Sequence, residues 1–520
     1  MCTRLSFIIL LSCLWSVTYS AKILCVFYLA GPSHYILGNS YARALAESGH
    51  DVTMISPFKE NNPPINGSYR DIVLTGFKEE HEEFMKKFDL FNRDSATFMS
   101  LINFIKSTIE LTERTLQHPN VQKLMNSGEK FDAVVVEQFL NEALKGLAPH
   151  FEAPLIIFSS VGANNWVNPL VGNPSPPSYV SDMNYNFPSD MTFLQRLQNT
   201  LMIQVGALMN YFYVYPTHGE IMKKYIPKAP HYSEVIYNAS LVLLNSDSSI
   251  NAPVPKVPNM VEIGGYHVQP PKKLPADLKT FLDDAKEGVV YFSMGSNLRS
   301  KNLPLEKRQA ILNAFSKLKL KVLWKWEDDV LPGQPKNVKL SKWLPQPDVL
   351  AHPNVKLFIT HGGYLSTTEA VYHGKPVIAL PVFGDQFLNA GNIELRGMGK
   401  YIRFRDLTEE NLTSMLNELL NNPIYFENAQ RGSKIMHDKQ VSPKENAVFW
   451  TEYVIRHKGA PHLKVAGVNL PLYKYLLLDV YGLLALVVIS VVYALKTVCK
   501  KLWCRKNQLK SEKICMKKNN

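Results

Sequence analysis

The residue types that could handle a phosphorylated ligand are concentrated between Trp343 and Gln386. The stretch opens W-L-P-Q at Trp343–Gln346, continues H-G-G-Y-L-S-T-T-E-A at His361–Ala370, and closes F-G-D-Q at Phe383–Gln386. Trp343 offers a flat face to a base, and Gln346 an amide to its edge. His361, in a glycine turn with Gly363, is placed to donate to a phosphate oxygen. Ser366 and Thr367 would fall in the first turn of a helix and face the same anion. Glu369 is an acceptor for ribose hydroxyls, and Asp385 and Gln386 suit a polyol. Each piece alone has a duller reading: a lone H-G-G is usually an ordinary turn, and a lone Trp-x-Pro-Gln a surface turn with a packed Trp. Together, in this order, they outline base, ribose, diphosphate and a polyol.

The elements that must position these groups are legible as hydrophobic runs. Val355–Thr360 (VKLFIT) reads as a buried parallel strand. The glycine turn follows, then helical character over Ser366–His373, stopped by Gly374-Lys375-Pro376, then a strand at Val377–Pro381. Ligands of such sheets lie beyond the strands' carboxyl ends, where a helix N-terminus offers free N–H groups. The chain begins in the same way. Lys22–Leu29 reads as a strand, Gly31–His34 as a turn, Tyr35–Ser48 as a helix ending at Gly49, and Asp51–Ile55 as a strand. An amphipathic helical region is expected over 79–126, strands at Phe131–Glu137 and Ala153–Phe158, and a helix at Asn141–His150. Asn164–Asp190 reads as a long loop and Phe193–Tyr215 as an apolar helical stretch. Further on, Val289–Ser293 and Lys321–Trp326 read as strands flanking a helix at Leu305–Leu318. Helices are expected near Thr408–Asn421, Ile424–His437 and Ser442–Lys458.

The motif stretch, and most of the chain around it, closely resembles the UDP-glycosyltransferases, which include UDP-glucuronosyltransferases and UDP-glucosyltransferases. Leu365-Ser366 resembles the invertebrate, insect-like branch, because vertebrate members usually carry Asn-Gly there. The alternation of strand and helix in both halves implies α/β architecture with two Rossmann-like domains facing across a cleft. The resemblance adds the GT-B type of glycosyltransferase fold. On position alone His34 reads most simply as a structural loop histidine. The resemblance makes it the base that takes the acceptor's proton, because the family's catalytic histidine occupies the same turn. The family orients that histidine with an Asp at the end of the strand that here is Phe131–Glu137. This chain carries Glu137, longer by one methylene, with Gln138 beside it as a neutral alternative. Ser293-Met294-Gly295-Ser296 resembles the family's other phosphate-contacting loop, adding Ser293, Gly295 and Ser296 to the donor site. The last helix is expected to cross back to the N-terminal domain.

No Asp-x-Asp motif or His/Cys ligand cluster is present, so no metal and no cofactor beyond the UDP-sugar co-substrate is expected. Glu327-Asp328-Asp329 reads as a solvated acidic turn, and His81 and His118 as solvated histidines. The implied reaction is hexosyl transfer with inversion to a small lipophilic acceptor. UDP-glucose is the first choice of donor and UDP-glucuronic acid the second. A catalytically silent ligand carrier and a receptor-like interaction module are the rival classes.

Composition fixes the setting. The chain has 520 residues with a formal net charge of +12. Residues 1–20 read as a secretory signal peptide and 475–495 as a transmembrane helix. The segment 496–520 carries nine basic residues against Glu512, so the tail accounts for +8 of the charge. That marks a cytosolic side and gives no reason to invoke nucleic acid. Between them, 21–250 is expected to form the acceptor-binding domain, 251–273 a Pro-rich linker, 274–440 the UDP-sugar-binding domain, and 441–474 the return helix and membrane approach. The topology is single-pass type I, with the catalytic part luminal. Lys517-Lys518-Asn519-Asn520 resembles an endoplasmic-reticulum retrieval signal. Of six cysteines, only Cys25 would remain in the lumen, so no luminal disulfide is expected. Asn66, Asn238 and Asn411 head glycosylation sequons. The partners implied are a UDP-sugar, a lipophilic acceptor and the membrane; a homo-oligomer is compatible with them.

Overall fold

The computed structural model describes residues 20–87, 91 and 98–518. The expected signal segment therefore lies outside the described residues, apart from Ser20. The described chain divides into a unit ending at Lys464 and a second beginning at Val465.

The first unit contains two fully parallel sheets. One holds β1 (Lys22–Val26), β2 (Asp51–Ser56), β3 (Ser68–Val73), β4 (Ala133–Glu137), β5 (Leu155–Ser159), β6 (Ala239–Leu244) and β7 (Met260–Glu262), in the order β3-β2-β1-β4-β5-β6-β7. The other holds β8 (Val289–Ser293), β9 (Lys321–Lys325), β10 (Val338–Ser341), β11 (Val355–Thr360), β12 (Val377–Ala379) and β13 (Gly399–Tyr401), in the order β10-β9-β8-β11-β12-β13. In both, the order reverses beside the first strand, the switch point at which such sheets open a ligand crevice. The central strands are apolar throughout because both faces are covered. In β1, Leu24 and Val26 join one core cluster, while Ile23 and Cys25 join the cluster on the other face.

Several expected boundaries move, for physical reasons. The first helix spans Pro32–Glu47 rather than starting at Tyr35. Proline in the first turn lacks an N–H that would be unsatisfied anyway, so His34 lies inside the helix's first turn. The helix after the glycine turn likewise begins early, at Tyr364, with Gly363 extended before it. The helical region over 79–126 resolves into Phe77–Lys87, Phe98–Gln117 and Pro119–Met125, with part of it outside the described residues. Asn141–His150 forms a 3-10 segment, Glu142–Gly146, and one further turn. Five strands go beyond the sequence reading, among them the short edge strand β13. β3 and β10 carry too many polar residues to read as buried runs, β6 was passed over, and β7 lies inside the Pro-rich 251–273 segment and completes the first sheet. The helix Phe193–Met209 buries only Asn199, leaving Phe193, Leu194, Leu201 and Leu208 exposed.

The helix Pro443–Arg456 packs on the first sheet's domain. The Tyr41 hydroxyl bonds Thr451 Oγ1 at 2.6 Å in a buried site, and His50 meets Glu452 at 3.1 Å. The second unit contains Leu478–Lys518, one helix long and apolar enough to cross a membrane. It starts after Leu477, whose φ of 53° breaks the helical path. The basic segment expected as a separate tail continues this helix to Lys518.

Candidate active site

The first group of side chains stands at the carboxyl edge of the first sheet. His34 projects from its helix's first turn, and its Nδ1 lies 2.6 Å from Glu137 Oε1. Glu137 ends β4 with its side chain fully buried; that of His34 is 19% exposed. β4 is clamped on both sides, by β1 and by β5, so the carboxylate is delivered by a strand that cannot shift. A Cβ on Gly31 would come within 3.0 Å of the His34 ring, which gives the turn its glycine. Burial works against a charged imidazole here. The Glu137 carboxylate, through its charge and hydrogen bond, outweighs burial, and Asp385 adds to it. The His34 pKa therefore lies above its ordinary value of 6.5. Gln138 does not share this role, because its amide donates to Glu142 at 2.8 Å. Phe139 packs edge-on against His34 at 5.0 Å and touches Phe104 and Trp166, forming an aromatic wall.

The second group stands at the carboxyl edge of the second sheet. His361, just past β11, is enclosed by two glycines. A Cβ on Gly295 or Gly363 would lie 2.5 Å from its ring, and Gly295 has a φ of +86°. Burial, with the Lys325 charge behind it, depresses the His361 pKa to about 4. It is therefore a neutral imidazole at physiological pH. Ser293 ends β8 and accepts from the Gly295 N–H at 3.2 Å; Ser296 follows, half-buried.

Gln346, Ser366 and Glu369 meet, chiefly with one another. The Gln346 amide donates to Ser366 Oγ at 3.0 Å and to Glu369 Oε2 at 2.7 Å, and its carbonyl accepts from the Tyr291 hydroxyl. Burial raises the Glu369 pKa to about 7. Trp343 is 68% exposed, an open face beside the Lys325 ammonium, which lies 5.5 Å from the ring centre. Asp385 accepts from Asn389 at 2.8 Å, while Gln386 Oε1 accepts from the Val382 and Phe383 N–H groups and orders the preceding turn. The electrostatic coupling of Asp385 with His34 links the edges of the two sheets.

Sequence reasoning missed Lys325. It ends β9, donates to the Gly295 carbonyl, and bears on His361. Its signal was a lysine at a strand's carboxyl end. The acidic turn next to it also needs correction. Glu327 is not solvated: its side chain is 17% exposed, its pKa is raised by burial, and it accepts from the Lys301 N–H. His118 is buried and caps the helix Pro119–Met125, and His81 is half-buried, its pKa lowered first by burial and then by His34. Of the sequons, Asn66 and Asn238 are exposed, whereas the Asn411 amide donates to the Asp406 carbonyl. Among the described residues no three His, Cys, Asp or Glu side chains gather as a metal site. A recess of about 410 Å³ lined by Ser249, Asn392, Arg396 and Arg431 shares no residue with either group.

His34 on one sheet's edge is thus coupled by charge to Asp385 on the edge of the other. The two-sheet fold resembles that of solved glycosyltransferase structures. It matches the calicheamicin glycosyltransferase CalG4 with a TM-score of 0.60 at 17% identity, over 84% of this chain and 99% of that one. It is 39% identical to UDP-glycosyltransferase UGT5 of Dactylopius coccus, over 92% of this chain and 91% of the relative. It is 32% identical to UDP-glucuronosyltransferase 2B15 of Rattus norvegicus, over 89% and 90% respectively. The family described as UDP-glucoronosyl and UDP-glucosyl transferase matches residues 24–513. With that match spanning both sheets and both site groups, the chain belongs to this glycosyltransferase family.

Proposed function

We propose that the protein transfers glucose from UDP-glucose to small lipophilic acceptors bearing a hydroxyl, with inversion and without a metal ion. The observation that carries this reading is the His34–Glu137 pair, coupled by charge to Asp385 on the edge that also holds the enclosed His361. His34 Nε2 takes the acceptor's proton as its oxygen attacks the anomeric carbon. The bond from that carbon to the diphosphate oxygen breaks on the opposite face, so an α-linked donor yields a β-glycoside, and UDP leaves with the electron pair. Glu137 stabilises the imidazolium that forms. The departing charge falls on the neutral His361, the N-terminus of the helix Tyr364–Tyr372 and the Lys325 ammonium. Trp343, Gln346 and Glu369 flank the nucleoside, and Asp385 and Gln386 the sugar.

The choice of glucose is supported by charge. The sugar end carries Asp385, whose carboxylate disfavours a uronate. The acceptor class is supported by the Phe139, Phe104 and Trp166 wall beside His34. The apolar helix Leu478–Lys518, with its basic end, supports membrane anchoring with the catalytic unit in the lumen of the endoplasmic reticulum. The test is product analysis with UDP-glucose and UDP-glucuronic acid against phenols and steroids, with chelator present. A β-hexoside that survives chelation is expected. A uronide alone, or a product lost with chelator, would overturn the donor or metal assignment respectively.

A further inference from the structure

We propose that Ser160 is a positioning residue of the catalytic pair, holding the Glu137 oxygen that the His34 imidazole uses; this rests on the His34–Glu137 reading above. The Ser160 hydroxyl donates to Glu137 Oε1, the atom that His34 Nδ1 meets at 2.6 Å. Glu137 Oε2 is buried and has no hydrogen-bond partner among the described residues. All directional restraint on this carboxylate therefore falls on one oxygen. Without Ser160, a side chain with three rotatable bonds would be held in register by the histidine alone.

Ser160 is itself fixed. It follows β5, and its carbonyl accepts from the Asn245 amide at 3.0 Å. Asn245 follows β6, is fully buried, and also donates its backbone N–H to the Ser159 carbonyl. The sheet runs β1-β4-β5-β6, so His34, Glu137, Ser160 and Asn245 stand at the carboxyl ends of successive neighbours. The restraint passes sideways along the sheet edge, strand by strand. The other titratable groups facing the pair do not replace it. Tyr28 and Tyr266 donate to the Phe139 and Leu37 carbonyls, Asp385 is bonded to Asn389, and His81 bears on His34 only through its charge.

The Ser160 hydroxyl draws part of the charge on Glu137 Oε1 away from the imidazole that faces it. Removing it makes the pair hold its proton more tightly. The acidic limb of the rate profile should then move up by about 0.5–1 pH unit, the weight of one hydrogen bond. Loss of restraint should lower kcat roughly 5–30-fold, a positional effect on a general base.

The experiment measures kcat, KM and pH profiles of the full chain in detergent for the wild type, Ser160→Ala, Ser160→Cys and His34→Ala. The account expects His34→Ala at background, Ser160→Ala slowed with its limb raised and donor KM unchanged, and Ser160→Cys in between, its thiol being a weaker donor. A dead His34→Ala beside unchanged serine variants would overturn the role of Ser160 alone. Slowed serine variants with an unmoved limb would overturn it too, marking a general structural effect. His34→Ala at the wild-type rate would overturn the underlying pair.

Discussion

Replacing Glu137 by Asp is a mild change by chemical type and a severe one by geometry. The carboxylate would retract by about one C–C bond, ~1.5 Å. The contact with His34 Nδ1, now 2.6 Å, would open to roughly 4 Å, beyond hydrogen-bond range. The backbone cannot follow, because β4 is paired with β1 through Val136 and with β5 through Glu137 itself. Ser160 would lose its acceptor in the same step. The imidazole would then lack the group that orients it and balances its charge. kcat should fall about 10²–10⁴-fold, equivalent to roughly 3–5 kcal/mol of barrier. The residues proposed for the donor pocket stand on the other sheet, so KM for the UDP-sugar should stay within about threefold. The acidic limb of the profile should also move down toward 6.5, because Glu137 is what raises the His34 pKa against burial. The assay is initial-rate product formation against donor concentration from pH 5.5 to 8.5. Glu137→Asp within threefold of the wild-type kcat, with an unmoved limb, would refute the reasoning.

Three further outcomes follow from the same geometry. His361→Ala removes the group enclosed by Gly295 and Gly363 and should raise the donor KM about tenfold or more, the weight of a hydrogen bond to a charged group, while acceptor KM changes little; titration with UDP checks this. In the wild type, a base must be neutral to accept a proton, so a raised His34 pKa places the acidic limb of kcat/KM above 6.5. The donor KM should meanwhile show no His361 titration between pH 6 and 8, because that residue sits near 4. Thr451→Val leaves the buried Tyr41 hydroxyl without its partner and should cost about 1–3 kcal/mol, read as a fall in Tm on the order of 2–4 °C by scanning calorimetry.

Much of this site is legible in the sequence because its residues sit at the punctuation of a regular pattern. His34, Glu137, His361 and Asp385 each fall just beyond or at the end of an apolar run, and the runs became strands. The glycine turn was visible because only glycine allows backbone to close on an imidazole from both sides. The parts that were not legible depend on contacts between distant segments. Nothing in the local sequence marks Ser160 as the partner of a residue 23 positions earlier, or Lys325 as a neighbour of the turn at Gly295. The same holds for Gln346, whose neighbours on the sheet edge engage both ends of its amide. β3 and β10, at the sheet edges, lack the continuous apolar run that marks a strand covered on both faces. His118 and Glu327 look solvated by composition and are not, because burial belongs to the fold rather than to the residue type.

The central claim is that His34 is the base of a glycosyl transfer whose donor site stands apart from it on the second sheet. The most direct test is His34→Ala studied in one preparation for both UDP-glucose binding and turnover. Donor affinity should stay at the wild-type level while turnover falls by about 10²–10⁴-fold. Wild-type turnover, or donor binding lost together with turnover, would contradict it.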